Sequence, residues 1–217
     1  MYRFSARALV VCLFTALAAG CGAGKAEVEK AVREEMKKSL NAEITAISLT
    51  KQPDGTFAGT ASATNGHTYD VTTTAPKGGK FEWTAVLTKE SVEKLIRERM
   101  KTSFGVDFTV ADLQKQADGS YTGTGTGTNG DTYEVTAGAP TAAGINFNFV
   151  PGQSTVERLM REDIEKQTKA KIKSFVLTRK GPGTYSGTAT QENGGVLSVS
   201  TKMDGMSLRW SFAPLRP

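Results

Sequence analysis

One stretch of this chain recurs at a fixed interval. Val28-Glu29-Lys30 returns as Val92-Glu93-Lys94 and again as Val156-Glu157-Arg158, 64 residues apart each time. The first two copies align without a gap as far as Val71-Thr72 and Val135-Thr136, passing through Lys51-Gln52-Pro53-Asp54-Gly55 and Lys115-Gln116-Ala117-Asp118-Gly119. The third copy has diverged further but keeps step, with Gly55, Gly119 and Gly183 equivalent, as are Phe57, Tyr121 and Tyr185. A period of this length commits the chain to a repeated architecture in which one pattern of burial is written three times. With 2 Cys and 1 His in 217 residues, a disulfide framework and a Cys/His structural zinc site are excluded.

Each copy opens with apolar residues at every fourth position, the spacing of one helical face: Val28, Val32, Met36 and Leu40, then Val92, Ile96, Met100 and Phe104. The third stripe, Val156, Met160 and Ile164, fades at Thr168. Ser154 with Glu157 reads as a capping box for the third helix, and Gly105 as the stop of the second. The period then changes to two, punctuated by Asp54-Gly55 and Asn65-Gly66, dipeptides suited to tight hairpins. In the first copy this predicts strands from Ile44 to Lys51, Thr56 to Ala63, Thr68 to Thr73 and Lys80 to Ala85. Alternation turns Phe57, Gly59, Tyr69, Val71, Phe81 and Trp83 toward the helix and Asp70, Thr72 and Glu82 away. The recurring Gly59, Gly123 and Gly187 are expected beneath the helices, where a missing side chain permits close approach. Ile44, Phe108 and Ile172 stand three residues before Ile47, Ala111 and Phe175, an odd spacing that calls for a bulge or a late strand start.

The expected class is therefore α+β, three tandem repeats of about 64 residues, each one helix packed on a four-stranded antiparallel meander, over residues 28–91, 92–155 and 156–217. This order of elements resembles PepSY-like and cystatin-like modules, and its tandem use resembles the β-lactamase inhibitor protein. That resemblance implies one possible role, inhibition or regulation of an exported protease or other hydrolase.

Ahead of the repeats, Arg3 and Arg7 precede an apolar run from Ala8 to Ala19, too short for a membrane span and suited to a signal-peptide core. Leu17-Ala18-Ala19-Gly20-Cys21 closes it and resembles the lipobox of bacterial lipoproteins. The resemblance implies a signal peptide at 1–20, a diacylglycerol on the Cys21 sulfur, and a lipidated tether at 21–27. It further implies anchoring at the cell envelope, on the outer membrane or the exported face of the inner membrane, and Gly22 is compatible with the outer.

Chemistry is sparse. His67 sits in a hairpin turn with no nucleophile or carboxylate placed for it, and its equivalents are Asp131 and Gly195. The run from Gly123 to Gly130 leads into another strand rather than a helix, so it is no phosphate loop. No metal-ligand spacing appears, and no cofactor is implied. Charge is unevenly spread: residues 28–91 carry eight basic and eight acidic side chains, 92–155 five and seven, and 156–217 eleven and six. Lys166, Lys169, Lys171, Lys173, Arg179 and Lys180 concentrate the excess and are the candidate contacts for an anionic partner, an envelope protein or polymer. Nucleic acid is not expected, because no stacking aromatics interleave these lysines. The expected function is non-enzymatic, a binding or structural spacer role.

Overall fold

A computed structural model describes residues 24–40, 42–77, 80–140, 145–204 and 207–215; the leader and Cys21 lie outside them. The elements run α1 (Lys25–Leu40), β1 (Ile44–Lys51), β2 (Phe57–Ala63), β3 (Thr68–Thr73), β4 (Trp83–Leu87), α2 (Lys89–Phe104), β5 (Phe108–Lys115), β6 (Tyr121–Gly127), β7 (Thr132–Ala137) and β8 (Phe147–Pro151). They end with α3 (Gln153–Thr168), β9 (Ile172–Gly181), β10 (Thr184–Gln191), β11 (Val196–Asp204) and β12 (Ser207–Pro214). Strands pair with their neighbours in sequence, giving the sheets β1-β2-β3-β4, β5-β6-β7-β8 and β12-β11-β10-β9, antiparallel throughout. No described helix is long and apolar enough to cross a membrane.

The class expected from the sequence is corrected. Strand holds 49% of the described residues and helix 26%, so the chain is mainly β, three four-stranded antiparallel sheets rather than an α+β series of helix-on-meander modules. The physical reason lies in where the helices go. The main contacts of α1 are with β1, an edge strand, and those of α3 are with β9, another edge, and with β7 of a different sheet.

Helix side chains accordingly stand in for a missing neighbour strand. The Leu49 N–H of β1 donates to Glu29 Oε1 of α1 at 2.8 Å. On β9, the Ile172 N–H donates to Glu165 Oε1 at 2.9 Å, while Arg161 donates to the Ile172 carbonyl. An edge strand presents unpaired backbone groups that invite another chain, and these contacts close part of that opening. The Ile172 N–H, followed by Lys171, holds the Glu165 carboxyl below its ordinary range. A depressed carboxyl pKa contributes stability above the unfolded value that is lost as pH falls through the folded one. The protection of the Ile172 amide, its exchange rate taken against that of an unstructured chain at the same pH, is therefore expected to fall on acidification, and a Glu165→Gln variant to lack that fall; an equal fall in both would show that Glu165 does not hold this edge.

Contacts gather the chain into two compact units. The first runs to Ile96, with short returns at Ala117–Ser120 and Gly138–Asn146; the second comprises Arg97–Gln116, Tyr121–Ala137 and Phe147–Pro217, so the division falls within α2. In the first unit, Val28, Val32 and Met36 are buried, together with Leu49, Phe57, Val71 and Trp83. In the second, Val156, Met160 and Ile164 join Ile172, Tyr185, Ala189, Leu197 and Val199 in one apolar cluster.

The recurring glycines have a different cause from the one expected. A Cβ on Gly59 would land on the Ser48 carbonyl, one on Gly187 on the Val176 carbonyl, and one on Gly123 3.0 Å from Leu113 Cα and 3.1 Å from Ala111 O. They accommodate the backbone of the adjoining strand, not a helix. The glycine that does lie beneath a helix is Gly125, whose Cβ would come 2.9 Å from Met100 Sδ; its equivalents are the buried Ala61 and Ala189. The odd spacing resolves into register shifts, between Ile44 and Ala46 in β1 and, in β5, between Ala111 and Gln114, where Asp112 takes a left-handed φ of 54°.

Turns repeat with their side chains. Asp54 Oδ1 accepts the Thr56 N–H at 3.0 Å and the Thr56 hydroxyl at 2.7 Å; Asp118 Oδ1 does the same for Ser120 at 2.9 and 2.6 Å. These hydroxyls hold both carboxyls below the ordinary aspartate range. At the second hairpin of each sheet, Asn65, Asn129 and Asn193 accept the N–H two residues on, from His67 (3.0 Å), Asp131 (3.2 Å) and Gly195 (3.0 Å). Gly105 ends α2 at φ 72°, as its place in the sequence implies. The capping box does not form: Gly152 is the N-cap of α3, without a side-chain bond, and Glu157 instead accepts from Gln153 Nε2 at 2.8 Å.

Candidate functional site

The second unit contains a half-open cleft of about 390 Å³ whose lining comes from α2, β7, β8, α3 and β12. Its polar end begins at the turn before β7. Asp131 follows Asn129-Gly130 and is buried at 5% exposure, a position a carboxylate holds only with donors around it. The donors come from α3. Thr155 sets the helix against β7, its hydroxyl accepting the Thr132 N–H at 2.7 Å and donating to the Thr132 carbonyl at 3.0 Å. One turn later Arg158 meets Asp131 with a two-point fork, Nε to Oδ1 at 2.9 Å and Nη2 to Oδ2 at 2.7 Å. Asn129 Nδ2 adds a third bond to Oδ2 at 2.9 Å, and Arg158 Nη1 reaches Glu162 at 2.7 Å. The bonds to Asp131, the largest cause, push the Arg158 pKa above its already high ordinary value.

The remaining walls are apolar. Phe104, at the end of α2, stacks on Tyr133 with ring centres 4.5 Å apart and meets Phe149 edge-on at 6.1 Å. Leu208 and Trp210 of β12 line the other side, both half-buried. Trp210 is oriented by its indole N–H, which donates to Asp163 Oδ2 at 2.7 Å; that bond, then Gln167, holds the Asp163 carboxyl below its ordinary range. Burial pushes the Tyr133 phenol up. The sign for Asp163 follows from its depressed pKa: the indole bond persists at neutral pH and is lost as pH falls through the folded value. In two-dimensional NMR the Trp210 indole cross-peak is expected to move at a pH below the ordinary aspartate pKa of about 3.9, and to lose that titration in Asp163→Asn. A titration unchanged by the substitution would assign it to another group.

Chemically, this is a receptive surface. The Asp131 carboxylate is engaged by three donor bonds and Arg158 faces two carboxylates, so each is committed to the other and to its neighbours. Among the described residues no group of three or more His, Cys, Asp or Glu is arranged to hold a metal ion.

The six basic residues singled out from the sequence are exposed but do not form one patch. Lys166 lies in the last turn of α3, Lys169 is its left-handed C-cap at φ 58°, and Lys171 and Lys173 flank Ile172 at the start of β9. Arg179 and Lys180 stand at the far end of that strand, roughly 25 Å away at ~3.3 Å per residue. Lys171 is paired with Glu165 at 2.9 Å, and Arg179 grips Glu134 of β7, Nη2 to Oε2 at 2.6 Å. Both partners raise the pKa of the base they hold. Lys166, Lys169, Lys173 and Lys180 make no ion pair among the described residues. Cys21 lies outside the described residues.

Sequence reading missed the Asp131–Arg158 pair, which is 27 residues apart. A signal was available in the repeat: the equivalent positions in the preceding copy are His67 and Lys94, so the same two places change together from a basic couple to an ion pair. Compared with known proteins, the chain matches no family model, no curated protein and no solved structure.

Proposed function

We propose that the chain is a lipid-anchored protein of the bacterial cell envelope that binds a partner, or spaces one from the membrane, without catalysing a reaction. The observation that carries the non-catalytic part is the cleft, whose charged groups are committed to one another and whose walls are aromatic and aliphatic. Anchoring rests on the Arg3, Arg7 and Ala8-to-Cys21 leader. Three residues separate Cys21 from the start of α1 at Lys25, four steps of chain with a reach of at most about 14 Å, which would keep the first unit against the bilayer surface.

The test has two arms. Cys21→Ser should stop incorporation of labelled palmitate and release the protein from membranes, since acyl chains supply the anchorage; continued labelling would remove the lipoprotein reading. Crosslinking in intact envelopes should recover a partner with the lipidated protein, and the purified protein should leave envelope substrates unchanged. Turnover of any of them would overturn the non-catalytic reading.

A further inference from the structure

We propose that the edge of β9 is a docking strand for an extended acidic segment of a partner protein, which adds to the sheet as a fifth antiparallel strand. This rests on the binding reading above and assigns that binding a place and a chemistry.

The first observation is a gap in the edge protection. β1 and β9 are equivalent edge strands, two periods apart. On β1, the Leu49 N–H is taken by Glu29 of α1. The equivalents on β9 are Leu177 and Glu157, but Glu157 accepts from Gln153 instead, and among the described residues the hydrogen bonds from α3 to the β9 edge fall at Ile172. Antiparallel ladders alternate groups that face the partner strand with groups that face away, so Phe175 and Arg179 share the phase of Leu177. Among the described residues no backbone bond outside the β9-β10 ladder engages this stretch. β9 is also the longest described strand, at ten residues.

The second observation is the face beside that edge. Val176 is 66% exposed, the more exposed of the two large apolar side chains that stand out on the described surface, and Ser174 and Thr178 share its side of the strand. A strand added at an edge gains affinity from main-chain bonds and selectivity from alternate side chains. Here those side chains select a small apolar or β-branched residue over Val176.

Charge decides the occupant. Lys173 and Lys180 bracket the segment, with Lys166 and Lys169 beyond its start, none of them in an ion pair among the described residues. Of the acids nearby, Glu165 and Glu134 are held by Lys171 and Arg179, Asp163 accepts from the Trp210 indole beside Lys166, and Glu192 stands beside Lys171. A second copy of the chain pairing through β9 would set lysines against lysines, and like charges across a pair oppose it. An extended segment alternating Glu or Asp with Val or Thr meets both the charges and the apolar residue.

The probe is a ten-residue peptide alternating glutamate with valine and threonine, titrated into isotope-labelled mature protein carrying Cys21→Ser. Expected are amide shifts confined to residues 173–180 and their β10 partners. Affinity should fall at least tenfold for the Lys173→Glu/Lys180→Glu variant and for a peptide with alternate amides N-methylated, and should weaken as salt rises. Val176→Asp, at an exposed position that leaves the fold intact, should have the same effect. A lysine-for-glutamate peptide that binds equally well, shifts centred elsewhere, or no binding by the acidic peptide at millimolar concentration would each overturn the proposal. Sedimentation showing a dimer that Lys173→Glu/Lys180→Glu leaves intact and Val176→Asp dissolves would assign the edge to a second copy instead. If the envelope partner is still recovered with the charge-reversed variant, the binding reading stands and only its placement on β9 falls.

Discussion

Arg158→Met is expected to lower the stability of the second unit by about 2–4 kcal/mol, because it leaves the buried Asp131 carboxylate facing only Asn129. The lower part of that range is the better expectation, since the Arg158 side chain is itself 39% exposed. Urea unfolding followed by the aromatic signal of the second unit measures it. Two further outcomes separate a stranded charge from lost packing. The variant should recover stability as pH falls, because protonating an unpaired buried acid relieves its desolvation. The double variant Asp131→Leu/Arg158→Met should regain most of the loss, as replacing a whole buried pair costs far less than removing one partner. A single variant with unchanged stability would mean that water already satisfies Asp131.

Gly187→Ala carries the other large effect. Its Cβ would occupy the place of the Val176 carbonyl, which is backbone and cannot turn aside, so the β9-β10 pair must separate or slip. Overpacking of this kind costs about 1–3 kcal/mol, and the upper end applies here. Gly123→Ala offers an internal comparison: its nearest neighbours stand at 3.0 to 3.2 Å, so a few tenths of an ångström of movement suffices and the loss should be near 1 kcal/mol. Equal losses at both positions would mean that strand approach does not set the requirement for glycine.

These two sites also show what the chain reveals before it folds. The helical stripes and the dipeptides Asp54-Gly55 and Asn65-Gly66 act through residues a few positions apart, and each is found where its spacing puts it. The moment of a helix says which of its faces is apolar but not which strand it will lie along. The placement of α1 against β1 and of α3 against β9 and β7 was therefore hidden. Nothing in the spacing of Glu29 and Glu165 marks them as covering a strand edge. Gly187 was legible as a constrained position, and its repetition said so. The agent of the constraint was assigned to a helix because the close approach of the Val176 carbonyl of the adjoining strand leaves no mark on residue periodicity. Among the six lysines and arginines, sequence proximity suggested one surface, but a ten-residue strand carries its two ends far apart.

The three Asn-Gly hairpins have a consequence for how this protein ages. In a flexible chain, an asparagine followed by glycine deamidates when the glycine nitrogen attacks the side-chain carbonyl and expels ammonia, and water then opens the cyclic imide to aspartate or isoaspartate. In each hairpin that nitrogen is engaged: Gly66 donates to Ala63 O at 2.9 Å, Gly130 to Gly127 O at 2.9 Å and Gly194 to Gln191 O at 3.0 Å. Each asparagine Oδ1 is held as well, by the N–H two residues on. The reaction must then wait for its own turn to open, so the rate of mass gain at Asn65, Asn129 and Asn193 reports the opening of three separate hairpins. The chain carries a chemical clock in each sheet, and peptide mapping of stored protein would read which one runs fastest.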